Sequence, residues 1–314
     1  MDGKVGLSFF EKQLYRFVLV PVVRKQLKKQ GEDYAWSYQR PRWGPGRIDP
    51  FNPVKFNMLK LTNDGSVGNS DMLPLWNMAE REKRPWVTFH WDGLSTSLRD
   101  VVLSSMLGDG MVAKEYKPET MKRLHEFVRN IPAPPSPHKP ESDAAKGKEL
   151  FDKNCGECHA HNGARAAAII PPAEVGTDIQ RGTMWTEAAV KAYTNYRRGY
   201  NWNFTGFRKV DGYLASTLDG LWLNGPYLHN GSVPSLRALL EPPSSRPKAF
   251  VRGGDVVDGK NGGFVSPDCD PNKPPKDGFC YDTSLIGNSN AGHTFGTTLP
   301  AAEKEALLAY LLTL

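Results

Sequence analysis

Residues 147–163 read GKELFDKNCGECHAHNG, and the fold turns on what Cys155-Gly-Glu-Cys158-His159 can hold. On one helical turn, positions three apart point to the same side. Two thiols so placed reach the two vinyl groups on one edge of a haem and become thioethers. An imidazole on the next residue then falls beneath the porphyrin and can bind its iron. This is the C-x-x-C-H attachment pattern, with His159 as the proximal ligand. A thioredoxin-like redox pair needs a βαβ setting, which the flanks lack. A zinc site needs a second Cys/His pair at suitable spacing, and the chain has none. Cys155, Cys158 and His159 therefore imply one covalently attached haem c.

The sixth iron position has several candidates. His161 is too close to His159 in sequence to reach the opposite face of the ring. Met184, in RGTMWTE, offers a thioether, although a Met before Trp is more often core. His293 lies in the polar loop GNSNAGHTFG, where capping or exposure is the ordinary role. His229, in NGPYLHNGS, is a further candidate that would otherwise hydrogen-bond a haem propionate or order its loop. The choice matters: Met opposite His raises the reduction potential, a second His lowers it, and an open position permits oxygen or peroxide chemistry.

Working outward, a helix is expected at 143–154 with Asp143 as its cap, and Gly147 shares a face with Leu150 and Phe151, allowing a close helix contact. Further helices are expected at 8–30 (kinked at Pro21, stopped by Gly31), 97–107, 118–130, 186–197 and from Pro300 to the end. The loop-rich stretch 31–96 is dense in Trp, Pro, Gly and Asn. The Pro-rich segment IPAPPSPHKPESD at 131–143 favours an extended spacer, which puts a domain border at 131–142, between 1–130 and 143–314. No strand–helix alternation is present, so the fold is mainly α with long loops.

At 314 residues the chain exceeds one typical domain. Hydrophobic residues make up 39%, beside 30 Gly and 25 Pro, a balance that a buried cofactor would supplement. The net charge of +6 includes RKQLKK at 24–29, but no nucleic-acid module accompanies it, and a solvated face or an acidic partner explains it. No run reaches the roughly 18 apolar residues of a spanning helix. The remaining cysteines, Cys269 and Cys280, bracket the turn-rich loop DPNKPPKDGF. They form either a disulfide, which requires an oxidising compartment, or two loop thiols.

The segment LDGLWLNGPYLHNGSVPSLRALLEPPSSRPKAFVRG at 218–253 resembles the second haem domain of the bacterial di-haem cytochrome c peroxidase superfamily, nearest to its rubber-oxygenase-like cytochromes. VGTDIQRG (175–182), GNSNAGHTFGTTL (287–299) and the final EKEALLAYLLTL resemble the same branch. GRIDPFNPVKF (46–56), SDMLPLWNM (70–78) and FHWDGLSTSLRDVVLSSMLGDG (89–110) resemble the part of the first haem domain that follows its own attachment motif.

The resemblance implies a cytochrome c-like haem domain preceded by a partial, loop-rich first cytochrome domain. Cys155, Cys158 and His159 match the second haem site, and His293 matches the distal histidine, which ranks it above Met184. Trp76 falls where the family has an aromatic residue between its haems, although an ordinary core tryptophan is the commoner role. Related peroxidases hold a calcium ion between domains, for which no ligand set is assignable here. The first C-x-x-C-H is missing, since no cysteine precedes Cys155.

Haem attachment in this family occurs outside the cytoplasmic membrane, implying a periplasmic or secreted protein. The start MDGKVGL shows no export sequence, so the chain is expected to be the C-terminal part of a longer two-haem protein. Its partner is then a redox protein or the missing N-terminal haem domain. Three functions follow: an electron-transfer unit; a peroxidase- or oxygenase-type oxidoreductase, its active haem being elsewhere or this one after ligand displacement; or a non-catalytic binding module. Enzymatic activity turns on that first haem domain.

Overall fold

The computed structural model describes residues 6–139, 144–196, 199, 201–273 and 275–314. Ser8 opens the first helix through a reciprocal capping box with Glu11. The helix runs as α1 (Phe9–Leu14), a π-helical segment (Tyr15–Leu19) and α2 (Val20–Asp33). Pro21 lacks the N–H that an α-helix interior needs. The wider turn ahead of it, in which the Val20 N–H bonds the Tyr15 carbonyl, leaves Pro21 at the first turn of α2. Gly31 does not stop the helix, which continues to Asp33; a Lys29–Asp33 pair spans that point at i,i+4 spacing. Residues 1–42 form one compact unit and Trp43–Leu314 another.

The second unit is built on helices α3 (Leu98–Gly108), α4 (Pro118–Arg129), α5 (Ala144–Asn154), α6 (Gly156–His159), α7 (Glu187–Thr194) and α8 (Ala301–Leu311). Ser97 and Thr186 cap α3 and α7 by accepting from the Asp100 and Ala189 N–H groups. Asp143, expected to cap α5, lies outside the described residues. Three two-stranded antiparallel ladders pin the loops. They are β1 (Arg47–Ile48) with β2 (Ser70–Asp71), β3 (Ile169–Ile170) with β4 (Tyr213–Leu214), and β5 (Ala249–Arg252) with β6 (Phe279–Asp282). Cys269 and Cys280 form a disulfide, with Cα atoms 5.8 Å apart, across a short loop whose closure contributes about 3 kcal/mol in the chain-entropy account.

Among the described residues two large cores, with a small third cluster of Phe250, Phe279 and Tyr281, hold the buried apolar side chains. One joins Phe51, Phe89, Leu94, Leu98 and Leu103 to Trp185, Tyr193, Trp202 and Phe207. Tyr193 stacks on Phe207 with centroids 4.3 Å apart. The other joins Leu150, Phe151, Leu221, Tyr227 and Leu236 to Leu307, Leu308 and Leu311. Trp185, Tyr193, Trp202 and Phe207 thus complete a core with residues from before the Pro-rich segment. The prolines run along the same unit: Trp222 Nε1 donates to the Pro134 carbonyl at 3.3 Å, and Ser136 Oγ to that of Leu312 at 2.6 Å. The packing boundary falls at Arg42–Trp43 rather than at the border expected at 131–142, of which 140–142 lie outside the described residues.

Helices α5 and α8 cross at Gly147, where an added Cβ would sit 2.1 Å from the Ala306 carbonyl oxygen. Gly147→Ala gains helix propensity of about 1 kcal/mol, but the neighbour is backbone and cannot swing aside. Overpacking is expected to dominate, with a net loss of about 1–3 kcal/mol. Thermal denaturation followed by circular dichroism checks this; an unchanged or raised Tm would show that the helices separate freely.

Candidate haem site

Helix α5 delivers the attachment motif. The Cys155 carbonyl accepts from the Cys158 and His159 N–H groups at 3.2 and 2.9 Å, so one turn presents the second thiol and the imidazole together. Gly163 folds the following loop tightly onto that turn, with no room for a side chain beside the Gly156 carbonyl. Burial pushes the Cys155 thiol up to about 11, with the Cys158 charge adding to it, and burial raises Cys158 as well. Neither takes part in a disulfide.

His159 Nδ1 lies 2.6 Å from the Ser216 carbonyl oxygen. A carbonyl only accepts, so Nδ1 carries the proton and the Nε2 lone pair is left for a metal. Burial holds His159 below its ordinary pKa, in the neutral form that ligates iron. Opposite stands His293, its ring centroid 6.1 Å from that of His159 and its plane inclined at 48°. Two imidazoles sharing one first-row metal ion at about 2.0 Å each have centroids about 6 Å apart. Burial, with smaller contributions from the His159 and Arg246 charges, brings His293 down to about 3, so it too is neutral.

The His293 backbone is at φ +44°, a left-handed conformation uncommon outside glycine. It is held there from both sides. Its N–H donates to the Val175 carbonyl at 2.7 Å, and its carbonyl accepts from Arg246 Nη2 at 3.0 Å. Arg246, 2% exposed, also donates to the carbonyls of Leu239, Glu241, Asn290 and Gly292. Its five-donor fork is thus spent on carbonyls of this region. Gly292 packs against Gly176, where a Cβ would meet backbone at 2.2 Å. Nothing local to SSRPKAF (244–250) marks Arg246 as the clamp of a loop over forty residues away.

The two imidazoles line a cleft open to solvent and walled by Cys155, Leu218, Leu221, Leu228, Leu236, Leu240, Phe295 and Leu311. Its lining also includes Thr177 and His229, both buried, whose Oγ1 and Nε2 have no protein partner. A haem fits this arrangement: thiols for its vinyl edge, apolar walls for its faces, and polar groups for its carboxylates. His229 stacks on Tyr213 at 3.9 Å, and burial, aided by Arg181 and Arg47, lowers it to about 3.

The other candidates lie elsewhere. Met184 is in the first core, its thioether against Gly68 and its carbonyl accepting from Lys55 Nζ at 2.7 Å. His161 is exposed, with Nε2 2.9 Å from Asp219. Trp76 packs against Gly220, next in sequence to the cleft residue Leu221, without lining the cleft itself. For calcium, no group of three or more His, Cys, Asp or Glu among the described residues is placed to hold a metal ion.

His90 is half-buried beside the first core, edge-on to Phe51 at 5.1 Å, with its buried Nε2 lacking a partner. Burial, reinforced by Arg181 and opposed by Asp92, lowers it to about 4. Below an unfolded pKa of about 6.5 the unfolded chain binds the proton first, so stability is full above that pH and falls as pH falls toward 4. The loss expected from this residue between pH 6.5 and 5 is about 2 kcal/mol. His90→Gln should flatten the Tm–pH profile over that window; an identical profile overturns the assignment.

The cytochrome c family model matches residues 144–209, which contain the attachment motif. The model for RoxA-like, cytochrome c-like domains matches residues 212–251, which contain His229 and Arg246. Two proteins of Sinorhizobium fredii are similar in sequence. Uncharacterized protein y4iJ is 37% identical over 166 residues, 46% of this chain and 27% of that protein. Uncharacterized protein y4iM is 28% identical over 250 residues, 68% of this chain and 52% of its own length. The chain thus spans about a quarter of one relative and half of the other. It contains a cytochrome c domain, and its fold is mainly α and rich in loops.

Proposed function

We propose that the chain binds one haem c through Cys155 and Cys158, with His159 and His293 as axial ligands, and relays electrons within a rubber-oxygenase-like oxidoreductase. The observation that carries this reading is the opposed, neutral imidazole pair 6.1 Å apart across an apolar cleft. A bound haem would supply a one-electron couple, with His159 and His293 the residues that would hold its iron, and a second His would favour a low potential. The electron partner is a second haem domain or a separate redox protein. Thioether attachment and the Cys269–Cys280 disulfide support a periplasmic or secreted location. No helix among the described residues is long and apolar enough to cross a membrane.

A second reading is enzymatic: peroxidase- or oxygenase-type chemistry at this haem once His293 is displaced. The left-handed backbone of His293 favours it, because such a position is held only by its surroundings. Optical and electron paramagnetic resonance spectra of the matured holoprotein decide between the two. A low-spin ferric signal indifferent to peroxide is expected; a high-spin signal that responds to peroxide would overturn the electron-relay reading.

A further inference from the structure

The helix spanning Phe9–Asp33 buries none of its residues. Phe10 is 82% exposed, Phe17 66% and Leu27 60%. Soluble surfaces rarely carry apolar patches larger than a few hundred Å² unless something covers them. The shape of the apolar surface says what that is. Residues 17–23, FVLVPVV, are apolar without interruption, so they present apolar side chains on every side of the helix. A helix that docks in a protein groove needs one apolar stripe; an all-round collar suits a medium that surrounds it. Seven residues at 1.5 Å each reach about 10 Å, far short of the roughly 30 Å hydrocarbon core. A helix too short to span instead lies along the headgroup–acyl boundary, its apolar side chains sunk about 5–10 Å.

Charge selects the lipid. Arg16 and Arg24 bracket the collar, and Lys25, Lys28 and Lys29 follow it. Arg16 lies over the Phe17 ring, 5.4 Å from its centroid, so its stem covers apolar surface while its charge stays at the polar level. Basic residues at that depth add attraction for anionic headgroups. We infer that this helix is a monotopic anchor that seats the protein on an anionic phospholipid surface.

The test is co-sedimentation of the full-length holoprotein with vesicles of equal parts phosphatidylglycerol and phosphatidylcholine, and with pure phosphatidylcholine. The protein should pellet with the anionic vesicles and bind the neutral ones at least about tenfold more weakly. Val18→Asp/Val22→Asp and Lys25→Glu/Lys28→Glu should each lose about tenfold on anionic vesicles. Their haem absorbance, unchanged from the parent, shows that the cytochrome domain is intact. Protein left in the supernatant with anionic vesicles at low salt overturns the inference. So does equal binding by parent and variants, or a dimer in sedimentation velocity that Val18→Asp/Val22→Asp dissociates, which would make the collar a protein interface.

Discussion

His293→Ala is expected to convert the ferric haem from low spin to high spin and to open it to peroxide and cyanide, while Met184→Ala leaves the spin state alone. The contrast is large because the two residues occupy different parts of the fold. His293 faces His159 across the cleft, and both rings are neutral through burial. Met184 belongs to the first core and packs on Gly68. Its truncation should cost about 2–5 kcal/mol as a core cavity, seen as a lower Tm without a change in absorbance. His293→Met should restore six-coordination at a higher potential, since a thioether opposite His raises it. Arg246→Met offers a graded version: the loop loses the donors to three of its carbonyls, those of Asn290, Gly292 and His293, and a mixture of spin states is expected. A His293→Ala protein that stays low-spin would remove the histidine from the iron; a Met184→Ala protein that turns high-spin would put the thioether there.

What could be read from sequence was chemistry confined to one turn. Cys155, Cys158 and His159 follow one another closely enough that helical geometry alone sets their directions, and helices α3 and α7 start within a residue of the expected positions 97 and 186. Contacts over long sequence separations were not legible. His293 was ranked by resemblance; its place is set by Arg246 and Val175, which its own loop does not reveal. Trp185 and Tyr193 were assigned to the haem domain by chain order, yet they pack against Phe51 and Leu94, because aromatic side chains of this size join whichever apolar surface the loops bring near. Gly31 failed as a helix stop because glycine weakens a helix without ending it when the next residues continue the hydrogen bonding.

Asp92→Ala is expected to cost about 3–5 kcal/mol, a large part of the roughly 5–15 kcal/mol that holds a domain folded. Asp92 and Arg181 form a buried ion pair, 3% and 1% exposed. Removing the carboxylate leaves a guanidinium that burial cannot neutralise, since arginine keeps its proton. Arg181 also lies over the Phe51 ring, 4.9 Å from its centroid, tying the pair to the first core. The next residue reaches the haem side: the Gly182 N–H donates to the Tyr213 hydroxyl at 2.9 Å, and Tyr213 stacks on His229. The damage should therefore show twice, as a lower urea midpoint and as a disturbed cleft wall. Asp92→Leu combined with Arg181→Met removes both charges and should recover most of the stability, because the penalty comes from the orphaned charge rather than from lost attraction. A double variant as unstable as Asp92→Ala would instead assign the cost to lost packing and hydrogen bonding around the pair.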